Sequence, residues 1–98
     1  MSSGEVFVVI EVAEVLDLEG LQQYQKDVGS QLSKWGGTMI ARGGTPFEGD
    51  PPLGPIVVQR WPSEDLFRRW QESDDYGPLH AIRIRSMKLR TTIVAVMA

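Results

Sequence analysis

Residues 5–13 read EVFVVIEVA, a run of valine and isoleucine without a breaker. Branched side chains pack well on a pleated surface, so the run predicts a strand. Val6, Val8, Ile10 and Val12 share one face, and Phe7, Val9 and Glu11 share the other. Both faces are largely apolar. Leu18, Leu21, Val28, Leu32 and Trp35 then recur at spacings of three, four or seven, which predicts a helix over 17–35. Asp17 stands at its N-cap, Glu19 in its first turn and Lys34 in its last, and Gly36-Gly37 ends it. A short strand over 38–42 runs into Gly43-Gly44.

Residues 45–55 hold four of the six prolines, two glycines and two acids, and read as a surface loop. The segment IVVQRW predicts a third strand over 56–61. Ser63 caps a helix with Glu64 and Asp65 in its first turn and Leu66, Phe67 and Trp70 as its apolar stripe. Residues 73–77 interrupt that helix, and Pro78 suits the first turn of another, with Leu79, Ile82 and Ser86 or Met87 facing inward. The last strand is predicted over 91–97, TTIVAVM.

The order β-α-β-β-α-β, its last helical segment broken in two, predicts an α+β, ferredoxin-like fold with one four-stranded antiparallel sheet in the order 4-1-3-2. Right-handed crossovers place the helices on one face. The other face, about 400 Å² in flat projection, is apolar in either register of the first strand. Packing two such sheets face to face gives a homodimeric α+β barrel. The alternatives are a monomer with an open apolar sheet and a sheet covered by the long loop.

Composition narrows the function classes. With 98 residues, 42% hydrophobic and 23% charged, the chain predicts a single globular domain over 1–98. A net charge of −3 leaves no basic excess for a phosphate backbone, so nucleic acid is not an expected partner. The apolar run over residues 6–10 is too short for a bilayer, and the start of the chain lacks the basic region of a signal peptide. A cytoplasmic protein is expected. The absence of cysteine excludes disulfides, thiolate nucleophiles and cysteine-bound zinc. No cofactor is called for, and no His, Asp and Glu set has metal-ligand spacing.

Several blocks resemble a known family. These are FVVIEVA, Leu21-Gln22-Gln23-Tyr24, the run GGTMIARGG over 36–44, VVQRWPS over 57–63, and WQESDDY over 70–76. Together they are similar to the family called domain of unknown function 1330, over about residues 6–96. The glycine-rich block around Arg42 and the Trp70–Tyr76 block are the most specific. Trp70-Gln71 stands where the family often has Trp-Tyr, and Trp61 where it often has phenylalanine. The resemblance implies the dimeric α+β barrel superfamily, which also holds cofactor-independent monooxygenases, muconolactone-isomerase-like proteins and stress-responsive proteins.

Arg42 closes the second strand before two glycines. In an apolar cleft it would anchor a carboxylate through two parallel hydrogen bonds, and Gly43 and Gly44 would let a ligand approach the backbone. Its other reading is a structural ion pair with Glu11 or a neighbouring acid. Tyr24 and Tyr76 carry hydroxyls able to reach a pocket, or serve as half-buried core. His80, the only histidine, is a candidate general base or an ordinary residue. The candidate catalytic residues are therefore Arg42, Tyr76 and His80. The candidate ligand-binding residues are Arg42, Gly43, Gly44, Tyr24, Trp70 and Arg83. Three functions compete: a small enzyme acting on an anionic or aromatic metabolite, a non-catalytic or stress-related binding dimer, and a purely structural assembly module.

Overall fold

The computed structural model describes residues 4–97. Its elements are β1 (Val6–Val15), α1 (Leu18–Lys34), β2 (Thr38–Gly43), β3 (Ile56–Trp61), α2 (Glu64–Glu72), α3 (Gly77–Ser86) and β4 (Met87–Ala95). The four strands form one antiparallel sheet in the order β2-β3-β1-β4, the predicted order read from the opposite edge. The fold is the expected ferredoxin-like α+β arrangement.

Local chemistry accounts for most boundaries. Ser63 lies in extended backbone and its hydroxyl accepts the Leu66 N–H at 3.1 Å, satisfying one orphan donor of α2. Asp17 occupies the N-cap of α1 without a side-chain cap bond. The boundary between α3 and β4 differs from expectation. The helix stops at Ser86 and the strand begins at Met87, four residues before the predicted 91. Ser86 is pinned there because its carbonyl accepts the N–H of Leu16 at 2.7 Å and of Asp17 at 3.1 Å. That link between chain segments far apart in sequence leaves no local signature.

Val6 and Val8 face the helices and are buried, whereas Phe7, Val9 and Glu11 face the opposite side. The core gathers where α2 meets β3. Trp61, Trp70 and Tyr76 are almost fully buried, with Trp61 stacked on Trp70 at 5.2 Å between centroids and Trp70 4.5 Å from Tyr76. Aromatic faces in such offset contacts add to the burial energy of these large rings. Gly37 makes room for them. A Cβ there would lie 2.6 Å from the Trp61 ring and 2.9 Å from Leu32.

The strands are not regular throughout. β2 carries a bulge between Met39 and Ala41, and β1 one between Val12 and Glu14. In a regular strand residues three apart point to opposite faces. With Ile40 as the extra residue, Met39 pairs with Gln59 and Arg42 with Val57, so both project toward the helices.

The smallest extent of the molecule is 17 Å, one layer of helices over one sheet. The Pro-rich loop is tied to β1, where Leu53 N–H donates to Glu11 Oε2 at 3.1 Å and Val12 N–H to the Pro55 carbonyl at 3.0 Å. Glu11 also holds Arg90 through two hydrogen bonds of 3.0 and 2.9 Å. The possible ion pair of Glu11 with Arg42 does not form, because the two side chains leave the sheet on opposite faces. Among the described residues no helix is long and apolar enough to cross a membrane.

Candidate functional site

On the helix side, the residues Arg42, Val57, Ile10 and Thr91 form one rung across all four strands. Met39, Gln59, Val8 and Ile93 form the next. α1 lies above them and contributes Leu21, Tyr24 and Val28. Between helix and sheet is a cavity of about 250 Å³ whose walls include Ile10, Tyr24, Met39, Arg42, Val57 and Gln59. A second cavity of about 290 Å³ shares Ile10, Tyr24, Gln59 and Leu89 with the first and extends inward to Arg83 and Trp70. Outside the first, a basin of about 650 Å³ is bounded by Arg42, Gly43, Leu53 and Pro55. The three share lining residues, and together they make a cleft with Arg42 at one end and Arg83 at the other, where the exposed Arg68 and Glu72 border it.

Arg42 makes no ion pair or hydrogen bond among the described residues, so its guanidinium is available to the cleft. Gly43 and Gly44 follow it at φ +104° and +116°, left-handed backbone that favours glycine, and they turn the chain away at the cleft mouth. Gly43 borders the basin with Arg42, and Gly44 lies farther out among the prolines of the loop.

Deeper in, the hydroxyls of Tyr24 and Tyr76 lie 2.8 Å apart. Burial, reinforced by Tyr76, pushes the Tyr24 phenol above its ordinary range, and Arg83 opposes that shift. Tyr24 is therefore a neutral hydroxyl at physiological pH. Tyr76 stands behind it, almost fully buried and outside the cavity walls.

Arg83 projects from α3. Its Nη2 lies 3.3 Å from His80 Nδ1, while its Nε is buried without a hydrogen-bond partner. His80 is exposed, with its ring centroid 5.9 Å from that of Tyr76. The structure thus brings Arg42, Tyr24, Trp70 and Arg83 to one cleft and leaves Tyr76 and His80 off its walls.

The acidic turn near His80 has a structural occupation. Asp75 accepts the Trp35 Nε1–H at 3.1 Å and pairs with Lys34 at 3.3 Å, and these bonds, that from Trp35 foremost, hold its carboxyl below the usual value. No group of three His, Asp or Glu residues among those described is placed to hold a metal ion.

Sequence reasoning missed Gln59. Its side chain is buried, 4% exposed, and borders both inner cavities. Trp61 Nε1–H donates to Gln59 Oε1 at 2.9 Å. The signal was present as Gln59 and Trp61 two apart on one strand, hence on one face. An indole can only donate, so a polar neighbour buried beside it must offer an acceptor.

The comparisons with known proteins agree with this architecture. No curated protein matches the sequence. The fold is similar to that of RPA0582, a protein of unknown function from Rhodopseudomonas palustris, with a TM-score of 0.80 at 14% identity over 98% of this chain and 85% of that one. It is similar also to SnoaB, a cofactor-independent oxygenase from Streptomyces nogalater, with a TM-score of 0.65 at 13% identity over 97% and 95% of the two chains. A Nitrosomonas europaea protein described as a candidate antibiotic biosynthesis monooxygenase gives 0.63 at 8% identity over 99% and 94%. At these identities the likeness is one of fold. The sequence itself matches the family described as Domain of unknown function (DUF1330) over residues 5–97, almost its whole length, and the glycine turn after Arg42 and the buried Trp70–Tyr76 contact fall within that match. The chain belongs to the DUF1330 family.

Proposed function

We propose that the protein binds a small anionic or aromatic metabolite in the cleft between α1 and the sheet, with Arg42 as the anchor for its acidic group. The observation that carries this reading is a guanidinium without a partner at the mouth of an apolar cavity. A carboxylate there would gain charge-assisted hydrogen bonds in a site partly screened from water. Ile10, Val57, Met39 and Leu89 supply the apolar walls that bury the rest of the ligand.

The functional unit is a homodimer closed through the open sheet face. Phe7, Val9, Ile56, Val58 and Val94 lie on that face, flanked by the Glu11–Arg90 and Glu5–Arg60 pairs. Among the described residues, in a molecule 17 Å thick, no further layer covers them. The sheet alone offers about 400 Å² in flat projection. Its corrugated side chains extend this toward the roughly 800 Å² per partner of a standard interface. A second copy presents the same apolar face and is the partner best matched to it.

Turnover is a second reading, favoured by the fold shared with SnoaB and by a neutral phenol, Tyr24, on the cleft wall. The cleft needs no general acid or base to bind, and the exposed position of His80 supports binding as the first reading.

Arg42→Ala tests the proposal. A panel of aromatic carboxylates is screened for a rise in melting temperature, with sedimentation run alongside. A ligand that stabilises the parent protein is expected to lose that effect in the variant, with the sedimentation coefficient of a dimer unchanged. Equal stabilisation of both proteins would exclude Arg42 as the anchor.

A further inference from the structure

The inner end of the cleft is lined by hydrogen-bond donors. Gln59 is the clearest. Trp61 Nε1–H occupies its Oε1, and because an indole nitrogen cannot accept, this bond fixes which end of the amide is which. The Nε2 group is thereby left without a hydrogen-bond partner among the described residues, on a buried side chain that borders both cavities. Arg83 borders the same cavity, and its Nε is buried without a hydrogen-bond partner. Tyr24 is the third. The Tyr76 hydroxyl has Tyr24 as its hydrogen-bond partner, so when Tyr76 donates to Tyr24 the Tyr24 proton is free to point into the cavity. Buried polar groups left unpaired are costly, and a water or ligand acceptor relieves them.

We propose that Gln59, Arg83 and Tyr24 form an inner subsite for an ionised oxygen, a carboxylate or phenolate, at the end of the ligand opposite the group held by Arg42. This deepens the cleft-binding reading and rests on it. The substrate class is then a flat apolar molecule with an acidic oxygen at each end. β2, which carries Arg42, and β4, which floors the inner cavity with Leu89 and Thr91, are three strand spacings apart, about 14 Å. A fused or single aromatic ring with an acidic oxygen at each end fits within such a span. Glu72 borders the inner cavity as an exposed acid, and Arg68 at the same rim is paired with Glu64. The attraction therefore comes from the unpaired donors and not from the net charge of the rim.

The test compares naphthalene-2,6-dicarboxylate with naphthalene-2-carboxylate by calorimetry on the intact protein. The diacid is expected to bind about tenfold more tightly, the gain from one charge-assisted hydrogen bond. Gln59→Glu keeps an acceptor for Trp61 but replaces the donor with an anion, and Arg83→Met removes the second donor from a site outside the aromatic core. Each variant is expected to lower the affinity for the diacid more than that for the monoacid, and so to erase the preference for the diacid. Arg42→Ala is expected to weaken both. If the diacid binds no better than the monoacid, or its preference survives both inner variants, the inner subsite is wrong while Arg42-dependent binding stands. Failure of both acids to bind at millimolar concentration would overturn the subsite and the cleft reading together. Unchanged circular dichroism and tryptophan fluorescence in Gln59→Glu exclude misfolding as the cause of a loss.

Discussion

Glu11 and Arg90 stand directly opposite each other on β1 and β4, and both carboxylate oxygens accept from the guanidinium, at 3.0 and 2.9 Å. One of those oxygens also accepts the Leu53 N–H at 3.1 Å, so a single carboxylate joins two strands and the Pro-rich loop. Arg90 first, then Leu53, holds the Glu11 carboxyl below its ordinary value of 4.5. A group with a depressed folded pKa contributes its stability above the unfolded value and loses it as the pH falls through the folded value.

The loop is therefore expected to loosen in acid, beginning as the pH drops below about 4.5. Hydrogen exchange at the Leu53 amide checks this. Protection should fall with pH in the parent protein beyond the intrinsic trend, and Glu11→Gln should be less protected at neutral pH and show no such acid-dependent loss. Equal protection at Leu53 in both proteins across the range would show that the carboxylate does not hold the loop.

Gly37→Ala is expected to destabilise the fold by about 1–3 kcal/mol, the usual effect of forcing a methyl group into a packed core. The new methyl would meet the Trp61 ring at 2.6 and 2.7 Å and Leu32 at 2.9 Å, with no flexible chain end able to yield. Urea unfolding measures the change. Gly29→Ala, at a helical position with nothing within 4 Å, is the control and should be neutral or mildly stabilising.

Tyr24 carries a prediction at alkaline pH. Its raised folded pKa, caused first by burial, means that stability is retained below the unfolded value near 10 and declines as the pH rises above it. Tyr76→Phe leaves Tyr24 as the sole tyrosine. Its phenolate absorbance should then appear above pH 10 and together with loss of the folded circular dichroism signal. Phenolate formation at pH 10 in a folded protein would contradict the burial of that hydroxyl.

Element identity was legible where the local pattern had one meaning. The β-branched run of β1, the Ser63 cap and the glycine pair after α1 each act through neighbours within a few residues, and their elements appear where expected. The start of β4 was not legible. Ile82, Ser86 and Met87 continue a helical spacing, and neither glycine nor proline marks the end. The contacts of the Ser86 carbonyl with Leu16 and Asp17 decide it. The candidate site divides similarly. Arg42 is legible as a charged residue at a glycine turn, whereas Gln59 among valines is not, because its meaning comes from the indole it faces.

The order of strands and helices, and with it the α+β arrangement, follows from the sequence alone, since alternation, caps and crossover handedness are local or chiral rules. The face of β1 that meets the helices does not, because both faces are apolar and side-chain alternation serves either choice equally. The direction of Arg42 does not follow either. One extra residue at Ile40 reverses the parity of β2, and that bulge exists only in the pairing with β3. Tertiary packing therefore decided that the guanidinium points into the cleft, opens beside Gln59's cavity, and leaves Glu11 to Arg90.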